Sequence, residues 1–267
     1  MKIGLAQMNS QGSREENLLS AETLIRTLAG SGAELVMLPE HFSFIGPDSE
    51  KRNQAEPIDN SASLEMIRTC AVELRIYIHL GSFLEKEGDR VFNTAVVVGP
   101  SGEVIARYRK IHLFDVEIPG GRKYLESDTI SAGRETVLFS AGNFVFGLAT
   151  CYDLRFPELF RSLVARGANI LLLPAAFTEE TGRDHWELLL RARAVENQCW
   201  VAAAGQWGTA PPNHASYGRS MVINPWGVVV AQAGDGVTAV TAELDLDILR
   251  SVRTAFPALT HVRRDLF

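Results

Sequence analysis

The chain has 267 residues, and its 26 lysines and arginines against 32 aspartates and glutamates give a formal net charge of −6 at pH 7. Hydrophobic residues make up 46% and charged residues 22%, which excludes a disordered, collagen-like or disulfide-scaffold chain. The mild acidity argues against nucleic acid as the main partner, since phosphate binding needs a concentrated basic surface.

Cysteine usage and the N-terminal sequence indicate the compartment. Cys70, Cys151 and Cys199 are an odd number without metal-like spacing, which is typical of free thiols in a reducing environment. The N-terminal apolar run is too short for a signal peptide, and no apolar stretch reaches the ~18 residues that span a bilayer. We therefore expect a cytoplasmic protein with no metal site and no membrane association.

The first half of the chain predicts strands and helices in turn, followed by a hairpin. Apolar runs and helical periodicity carry these predictions, and the turn Gly99-Pro100-Ser101-Gly102 joins the two strands of the hairpin. In chain order we expect a strand at 2–8, a helix at 14–28, a strand at 33–38, a helix at 63–74, a strand at 76–83, and hairpin strands at 92–98 and 103–108.

Residues 110–135 show no sustained period, and a loop that long inside a compact domain is usually functional. The second half returns to strands and helices: strands at 136–140 and 143–149, a helix at 157–166, a strand at 169–173, a helix at 183–197, strands at 200–205, 220–223, 228–231 and 238–244, and a short helix near 245–253. About a dozen strands are too many for one open sheet. We therefore expect an α/β fold with two stacked mixed sheets and helices outside, as a single domain over residues 1–267.

Cys151 lies between a predicted strand and a predicted helix, in the string ATCYDLRFPEL. A thiol at such a turn lies near backbone N–H groups and a helix N-terminus, both of which favour the thiolate. Most free cysteines are small buried hydrophobic residues, and the sequence predicts that role for Cys70 and Cys199. For Cys151 the residues alone leave a nucleophile and a core residue equally open.

Four further residues could carry chemistry, and each also has a structural interpretation. Glu40 follows the apolar run ELVML, where α/β sheets place site residues, although a glutamate there also caps turns. Lys110 ends the segment ARYRK, which is equally typical of a solvated basic sheet edge. Glu126 alone indicates a surface acid, and His112 raises the hypothesis of a Cys–His nucleophile pair.

The strings LPEHFS, YRKIHLFDVEIPGG and CYDLRFPEL together resemble the three catalytic motifs of the nitrilase superfamily, the carbon–nitrogen hydrolases. Their order, the spacings of 70 and 41 residues between Glu40, Lys110 and Cys151, and the flanking residues all agree. The second and third strings are most similar to those of amidases that hydrolyse deaminated glutathione, with omega-amidases next. The resemblance implies a four-layer αββα sandwich of the carbon–nitrogen hydrolase type, no cofactor, and a homodimer or higher homo-oligomer.

The resemblance also implies a role for each motif residue. Glu40 would be the general base for the thiol of Cys151, which would attack the amide carbonyl. Lys110 and the backbone N–H of Tyr152 would stabilise the oxyanion. Glu126 would orient Lys110 or the substrate. The expected reaction is hydrolysis of the side-chain amide of a small carboxylate-bearing substrate to the acid plus ammonia.

Substrate contacts follow from the chemistry of such a ligand. A carboxylate favours arginine, whose fork matches it bidentately, so Arg155, Arg191 and Arg193 are the candidates. The last two lie in a predicted helix, where Glu187 and Glu196 are alternative partners. The string NILLLP is followed by a further candidate pair, Phe177 and Thr178, which we expect to face the same pocket.

Three alternatives stay open on the sequence. An omega-amidase would take α-ketoglutaramate or α-ketosuccinamate, and a carbamoylase-like member would cleave a different carbon–nitrogen bond. A Cys–His hydrolase would use His112. A non-catalytic binding member would be expected to lack part of the Glu–Lys–Cys set, but this sequence has all three residues.

Overall fold

The computed structural model of the chain describes residues 1–117, 123–263 and 265–266. The helices are α1 (Arg14–Gly30), α2 (Asp48–Gln54), α3 (Ala62–Leu74), α4 (Pro157–Ala165), α5 (Glu179–Asn197) and α6 (Leu246–Ala255). The strands are β1 (Lys2–Gln7), β2 (Leu35–Met37), β3 (Tyr77–His79), β4 (Phe83–Glu87), β5 (Arg90–Val98), β6 (Val104–Arg109), β7 (Asp115–Glu117), β8 (Lys123–Leu125), β9 (Leu138–Ala141), β10 (Phe144–Leu148), β11 (Ile170–Ala175), β12 (Trp200–Gly205), β13 (Trp207–Ala210), β14 (His214–Tyr217), β15 (Met221–Ile223), β16 (Val229–Gln232) and β17 (Thr238–Glu243).

Two mixed sheets form the centre of the molecule. The first has the order β17-β1-β2-β3-β5-β4, with β6 also paired to β5, and β1, β2 and β3 run parallel. The second has the order β16-β15-β12-β11-β10-β9, and β10, β11 and β12 run parallel. Parallel neighbours need crossover connections, and helices α1, α3, α4 and α5 supply them.

The inner faces of the two sheets share one apolar core. Ile3 and Leu5 of β1 belong to the same buried cluster as Phe146 and Leu148 of β10. The outer face of β1, at Ala6, instead packs in a second cluster with α1 and α3. Helices α4 and α5 cover the second sheet, so the expected four-layer αββα sandwich is confirmed.

Most predicted elements are present with ends shifted by a few residues, but three predictions were wrong in part. The loop at 110–135 contains an antiparallel ladder, β7 with β8. Helix α2 and the β13–β14 hairpin were not predicted, because α2 is short and polar and each hairpin strand has only four residues without an apolar run. The strand expected at 76–83 is interrupted after β3, and β4, which begins at Phe83, was not predicted.

The interruption has a steric cause at Gly81. Its backbone has φ +75°, and it lies so close to the preceding segment that a Cβ there would be 1.9 Å from the carbonyl oxygen of Pro39. Ser82 then accepts a hydrogen bond from the backbone N–H of His41, with an N–O distance of 3.1 Å. The turn at 80–82 therefore supports the segment that carries Glu40.

The candidate site residues follow strands of both sheets. Glu40 comes three residues after β2, Lys110 comes directly after β6, and Cys151 comes three residues after β10. Ala176 follows β11 directly. Because the sheets are stacked, these strand ends meet at one edge of the sandwich.

Among the described residues, no helix is long and apolar enough to cross a membrane. All three cysteines are buried and unpaired, as the sequence predicts.

Substitution of Gly81 by alanine should lower the free energy of unfolding far more than the same substitution at a glycine with space for a Cβ atom. We expect Gly81→Ala to lower the free energy of unfolding by about 3 kcal/mol or more, because it combines a left-handed backbone with a clash against Pro39. Gly88→Ala is the matched control, since Gly88 has φ +59° and no atom lies within 4 Å of the place its Cβ would take. It should cost about 1–2 kcal/mol. Denaturant unfolding measures both, and equal losses would contradict the proposed close approach.

Candidate active site

Glu40, Lys110 and Cys151, predicted separately from the sequence, line one cavity. Their exposed fractions are 2%, 2% and 8%, so three polar side chains lie inside an apolar sandwich. Buried polar groups of this kind require partners, because an unpaired one costs several kcal/mol in ordinary cases. The structure supplies a partner for each of them.

The carboxylate of Glu40 is held by donors from three segments. Its Oε1 accepts from Lys110 Nζ at 3.1 Å and from Asn93 Nδ2 at 2.8 Å. Its Oε2 accepts from the backbone N–H of Ala176 at 2.8 Å. Gln206 donates to the backbone carbonyl of Glu40 at 2.9 Å, which fixes the main chain beneath the carboxylate.

The ammonium of Lys110 lies between two carboxylates. Nζ donates to Glu40 and to both oxygens of Glu126, at 2.8 Å from Oε2 and 3.1 Å from Oε1. Glu126 also accepts from the backbone N–H of Phe114 at 2.7 Å. The residue that the sequence alone indicated as a surface acid is therefore nearly buried and paired with Lys110.

Cys151 opens a short 3-10 turn, Cys151–Arg155, with a backbone φ of +47°. Left-handed backbone at a non-glycine residue is uncommon and frequent at functional sites. The thiol lies close to the carboxylate of Glu40 and to the backbone N–H of Ala176, and both shift its pKa. The sharp turn between β10 and α4 thus directs Sγ towards the carboxylate.

The pKa values of the three groups are set by burial and by one another. Burial opposes ionisation of Glu40, but the ammonium of Lys110, together with smaller contributions from His41 and the backbone N–H of Ala176, lowers the pKa from 4.5 to about 2. Burial also disfavours a charged lysine, yet the carboxylates of Glu126 and Glu40 hold the pKa of Lys110 well above its ordinary value. Burial and then the charge of Glu40 raise the pKa of Cys151 well above 9. The resting site therefore holds a carboxylate, an ammonium and a protonated thiol.

The remaining predicted residues form the cavity wall. Arg155, Phe177 and Thr178 all line it, as does Tyr152. The guanidinium carbon of Arg155 lies 5.2 Å from the ring centroid of Phe177, and its nitrogens contact His185 Nδ1 at 3.3 and 3.4 Å. Among the described residues that line the cavity, Arg155 is thus the one arginine, and it lies beside the two residues predicted from the end of β11.

The other two candidate arginines have different partners. Arg191 donates to the backbone carbonyl of Gly227 and pairs with Glu187. Arg193 donates to the backbone carbonyl of Leu154 and pairs with Glu196. Neither is among the residues that line the cavity.

His112 has a different partner from the one that the Cys–His hypothesis requires. Its Nδ1 lies 2.7 Å from Asp153 Oδ1, and its ring stacks on Phe156 with centroids 3.7 Å apart. The side chain whose charge acts on the thiol of Cys151 is Glu40, which lines the same cavity, whereas His112 is not among the described residues that line it. The geometry therefore favours a carboxylate base.

His41 lies in the site although no sequence pattern singled it out. Its Nε2 lies 3.8 Å from Glu40 Oε1, and burial lowers the pKa of His41 to about 4, so the ring is neutral at pH 7. Ligand atoms of Glu40, His41 and Glu126 fall within 4.8 Å of one another, a spacing that a metal ion could bridge. The ammonium of Lys110 already supplies the positive charge between these two carboxylates.

Two other residues of the site were missed. Asn93 is fully buried and contacts Glu40, and the one available signal was an amide side chain inside the apolar string VFNTAVVV. Ala176 acts through its backbone N–H, for which the sequence carries no signal. Residues 118–121, the IPGG that closes the second motif, lie outside the described residues.

Comparisons with known proteins agree with this geometry. The sequence matches the carbon–nitrogen hydrolase family over residues 2–254. A deaminated glutathione amidase of Synechocystis is 44% identical over 260 residues, which cover 96% of this chain and 95% of the relative. An omega-amidase of Danio rerio is 37% identical, covering 100% and 96%. The crystal structure of the Caenorhabditis elegans NitFhit protein superposes with a TM-score of 0.94 at 40% identity, over 100% of this chain and 66% of that one.

The protonated thiol beside an ionised Glu40 predicts an unusual pH dependence of alkylation. We expect iodoacetamide to modify Cys151 at a rate that changes less than about twofold between about pH 6 and 8, because Glu40 stays ionised and assists throughout. An unassisted thiol of raised pKa gains about tenfold in rate per pH unit. Peptide mass spectrometry separates Cys151 from the two other buried cysteines.

The matched variant is Glu40→Gln, which keeps the size and polarity of the side chain but removes the base. Its alkylation should be slower and should regain the steep rise with pH. If the alkylation rate of the unsubstituted protein rose steeply with pH, thiolate formation and not assistance by Glu40 would limit the alkylation.

Proposed function

The chain belongs to the carbon–nitrogen hydrolase family, and we propose that it hydrolyses the γ-amide of deaminated glutathione with Glu40, Lys110 and Cys151 as its catalytic residues. It is an amidohydrolase of linear amide bonds, like its relatives. The observation that carries the proposal is the buried contact between the protonated thiol of Cys151 and the ionised carboxylate of Glu40.

In the first half of the reaction Glu40 takes the thiol proton as Sγ attacks the amide carbonyl. The oxyanion that forms is stabilised by Lys110 Nζ and the backbone N–H of Tyr152. Glu40 then donates its proton to the departing amine nitrogen, and the C–N bond breaks. The products of this half are a thioester on Cys151 and the free amine.

In the second half a water molecule replaces the amine. Glu40 removes a proton from the water, the resulting hydroxide attacks the thioester carbonyl, and the same donors stabilise the second oxyanion. Collapse breaks the C–S bond and returns the proton to Sγ. Glu126 keeps Lys110 aimed at the carbonyl through both halves, in keeping with its two contacts to Nζ.

The acyl part of the substrate carries an α-keto carboxylate, for which we propose Arg155 as the partner. The guanidinium lies at the cavity wall beside Phe177, where a short carbon chain would pack. Thr178 adds a hydroxyl to the same wall. One local arginine is sufficient for such a ligand even though the net charge of the chain is −6.

The amine released depends on the substrate. In deaminated glutathione the nitrogen of the γ-amide belongs to the cysteinylglycine portion, so the dipeptide leaves; ammonia is released only from a primary amide such as α-ketoglutaramate. The cavity has aromatic walls at Phe114, Tyr124 and Tyr152. The higher identity to deaminated glutathione amidases, 44% against 37% for the omega-amidase, favours the larger amide. The similarity to an omega-amidase makes α-ketoglutaramate the second candidate.

Comparison of the two amides at equal concentration tests the proposal. We expect the higher kcat/KM with deaminated glutathione, measured by cysteinylglycine release, and the lower value with α-ketoglutaramate, measured by ammonia. Cys151→Ala should lose more than about 10³-fold in kcat because no other group forms the thioester. Cys70→Ala in α3 is the matched control and should keep its activity.

Intact-protein mass spectrometry should also detect the transient acyl adduct on Cys151. Preference for α-ketoglutaramate would make the protein an omega-amidase. Hydrolysis that persists in Cys151→Ala would refute the nucleophile, and no Cys151-dependent hydrolysis of either amide would refute the substrate proposal while the family assignment stands.

We further propose a single domain that forms a cytoplasmic homodimer through α5. Leu188 and Val195 lie seven residues apart on one face of this helix with exposed fractions of 65% and 53%, and Trp226 beside them is 63% exposed. Gly227 lies close to Val195 and accepts a hydrogen bond from Arg191, so the helix and this turn form one surface in which an arginine lies among the exposed apolar side chains. Such patches are typical of protein interfaces. The three unpaired cysteines support a reducing compartment.

A charge placed in this surface should separate the subunits. We expect Val195→Glu to be a monomer in size-exclusion chromatography with light scattering, because an unpaired carboxylate at a dimer interface is costly to bury. Leu19→Glu on α1, where Leu19 is 67% exposed, is the matched control and should stay dimeric. A dimer in both variants would place the interface elsewhere.

A further inference from the structure

Asp153 lies two residues after Cys151 and is completely buried. Its carboxylate accepts four hydrogen bonds. Oδ1 accepts from the backbone N–H of His112 at 3.1 Å and from His112 Nδ1 at 2.7 Å. Oδ2 accepts from the hydroxyl of Tyr108 at 2.6 Å and from the backbone N–H of Thr150 at 2.8 Å. Because a carboxylate only accepts, the imidazole of His112 carries its proton on Nδ1.

These donors come from the two segments that carry catalytic residues. Tyr108 and His112 flank Lys110 at two residues on either side, and Thr150 directly precedes Cys151. The two segments are about forty residues apart in sequence and follow strands of different sheets. One carboxylate therefore fixes the main chain around Lys110 relative to the turn that carries Cys151.

The conformation of Cys151 increases the need for such an anchor. Left-handed backbone at a non-glycine residue costs about 1–3 kcal/mol and persists only where the surroundings enforce it. The bond from Thr150 N–H to Asp153 Oδ2 spans Cys151 and closes the turn around it. Loss of this bond would allow Cys151 to relax and Sγ to move away from Glu40.

We propose that Asp153 is a positioning residue that holds the ammonium of Lys110 and the thiol of Cys151 in their reactive arrangement. Asp153 is not among the residues that line the cavity, so it acts through these two and not on the substrate. The inference rests on the proposed thiol chemistry of Cys151, but not on which amide is cleaved. In this proposal the Tyr108 hydroxyl and the His112 ring serve the reaction as hydrogen-bond donors to Asp153, and neither acts as an acid or a base.

The test compares Asp153→Asn with Tyr108→Phe and with Glu56→Gln. Asparagine has one acceptor oxygen and turns an NH₂ group towards the other two donors, so about half of the hydrogen bonds that Asp153 accepts are lost. Tyr108→Phe keeps the buried ring and removes one donor. Glu56 is the matched control, since it is a buried carboxylate that accepts from Ser63 N and lies near Arg14 Nε.

We expect Asp153→Asn to lower kcat about 100-fold with KM changed less than about twofold, since a misplacement of about 1 Å at a reacting group costs rate and not binding. Iodoacetamide alkylation of Cys151 in the absence of substrate should slow as well. Tyr108→Phe should show about a tenfold loss in kcat, the effect of one hydrogen bond. Glu56→Gln should lower the unfolding midpoint while kcat and alkylation stay unchanged.

Stability losses in Asp153→Asn with unchanged kcat and alkylation would overturn the proposal, because a structural role alone predicts that result. If Asp153→Asn does not fold, unchanged kcat and alkylation in Tyr108→Phe would overturn it. In the unsubstituted protein, slow alkylation of Cys151 whose rate rises steeply with pH would refute the proposed function itself. Fast alkylation of Cys151 in all variants would overturn only the role proposed for Asp153.

Discussion

The ammonium of Lys110 between the carboxylates of Glu40 and Glu126 is the interaction on which the site depends. A lysine and two glutamates could not be buried separately, because an isolated charge in a protein interior is far more costly than a paired one. Together they leave one net negative charge beside the thiol, since two carboxylates face one ammonium. The ammonium keeps Glu40 ionised, and burial together with the charge of Glu40 keeps Cys151 protonated, so the carboxylate and the thiol proton that we propose it removes are both in place before substrate arrives.

This arrangement differs in principle from a thiolate paired with an imidazolium. There the nucleophile is charged at rest, whereas in the mechanism we propose the proton moves only as the bond to carbon forms. Glu40 loses its charge when it takes that proton, and the negative charge develops on the carbonyl oxygen, where Lys110 stabilises it. The ammonium of Lys110 therefore has an anionic partner before and during the attack, and its contribution to the rate comes from a stronger interaction with the oxyanion than with the neutral carbonyl.

The sequence predicts the scaffold of this site better than its immediate surroundings. Apolar runs placed most strands of the two central sheets within a few residues, and the three motifs named Glu40, Lys110 and Cys151. The contacts that hold Glu40 could not be predicted in the same way. Asn93 is 53 residues away from it and Ala176 is 136 residues away, and the latter contributes only a backbone N–H. Their positions follow from sheet stacking, which no local pattern encodes. Glu126 by itself indicated a surface acid for the same reason, since its burial depends on Lys110, and only the resemblance to the family placed it beside Lys110.

The same charges bear on how the products leave. Hydrolysis turns a neutral amide carbonyl into a carboxylate, which forms within the group that includes Glu40 and Glu126. One ammonium cannot stabilise three carboxylates, so the new anion is repelled at the position where the neutral amide was accepted. The α-keto carboxylate, for which we propose Arg155 as the partner, is unchanged by the reaction and would provide the attraction that brings the substrate in. Binding is therefore governed by a charge remote from the reacting bond, and release by the charge that the reaction creates. A cavity with an arginine in its wall and two carboxylates at its catalytic end is suited to both.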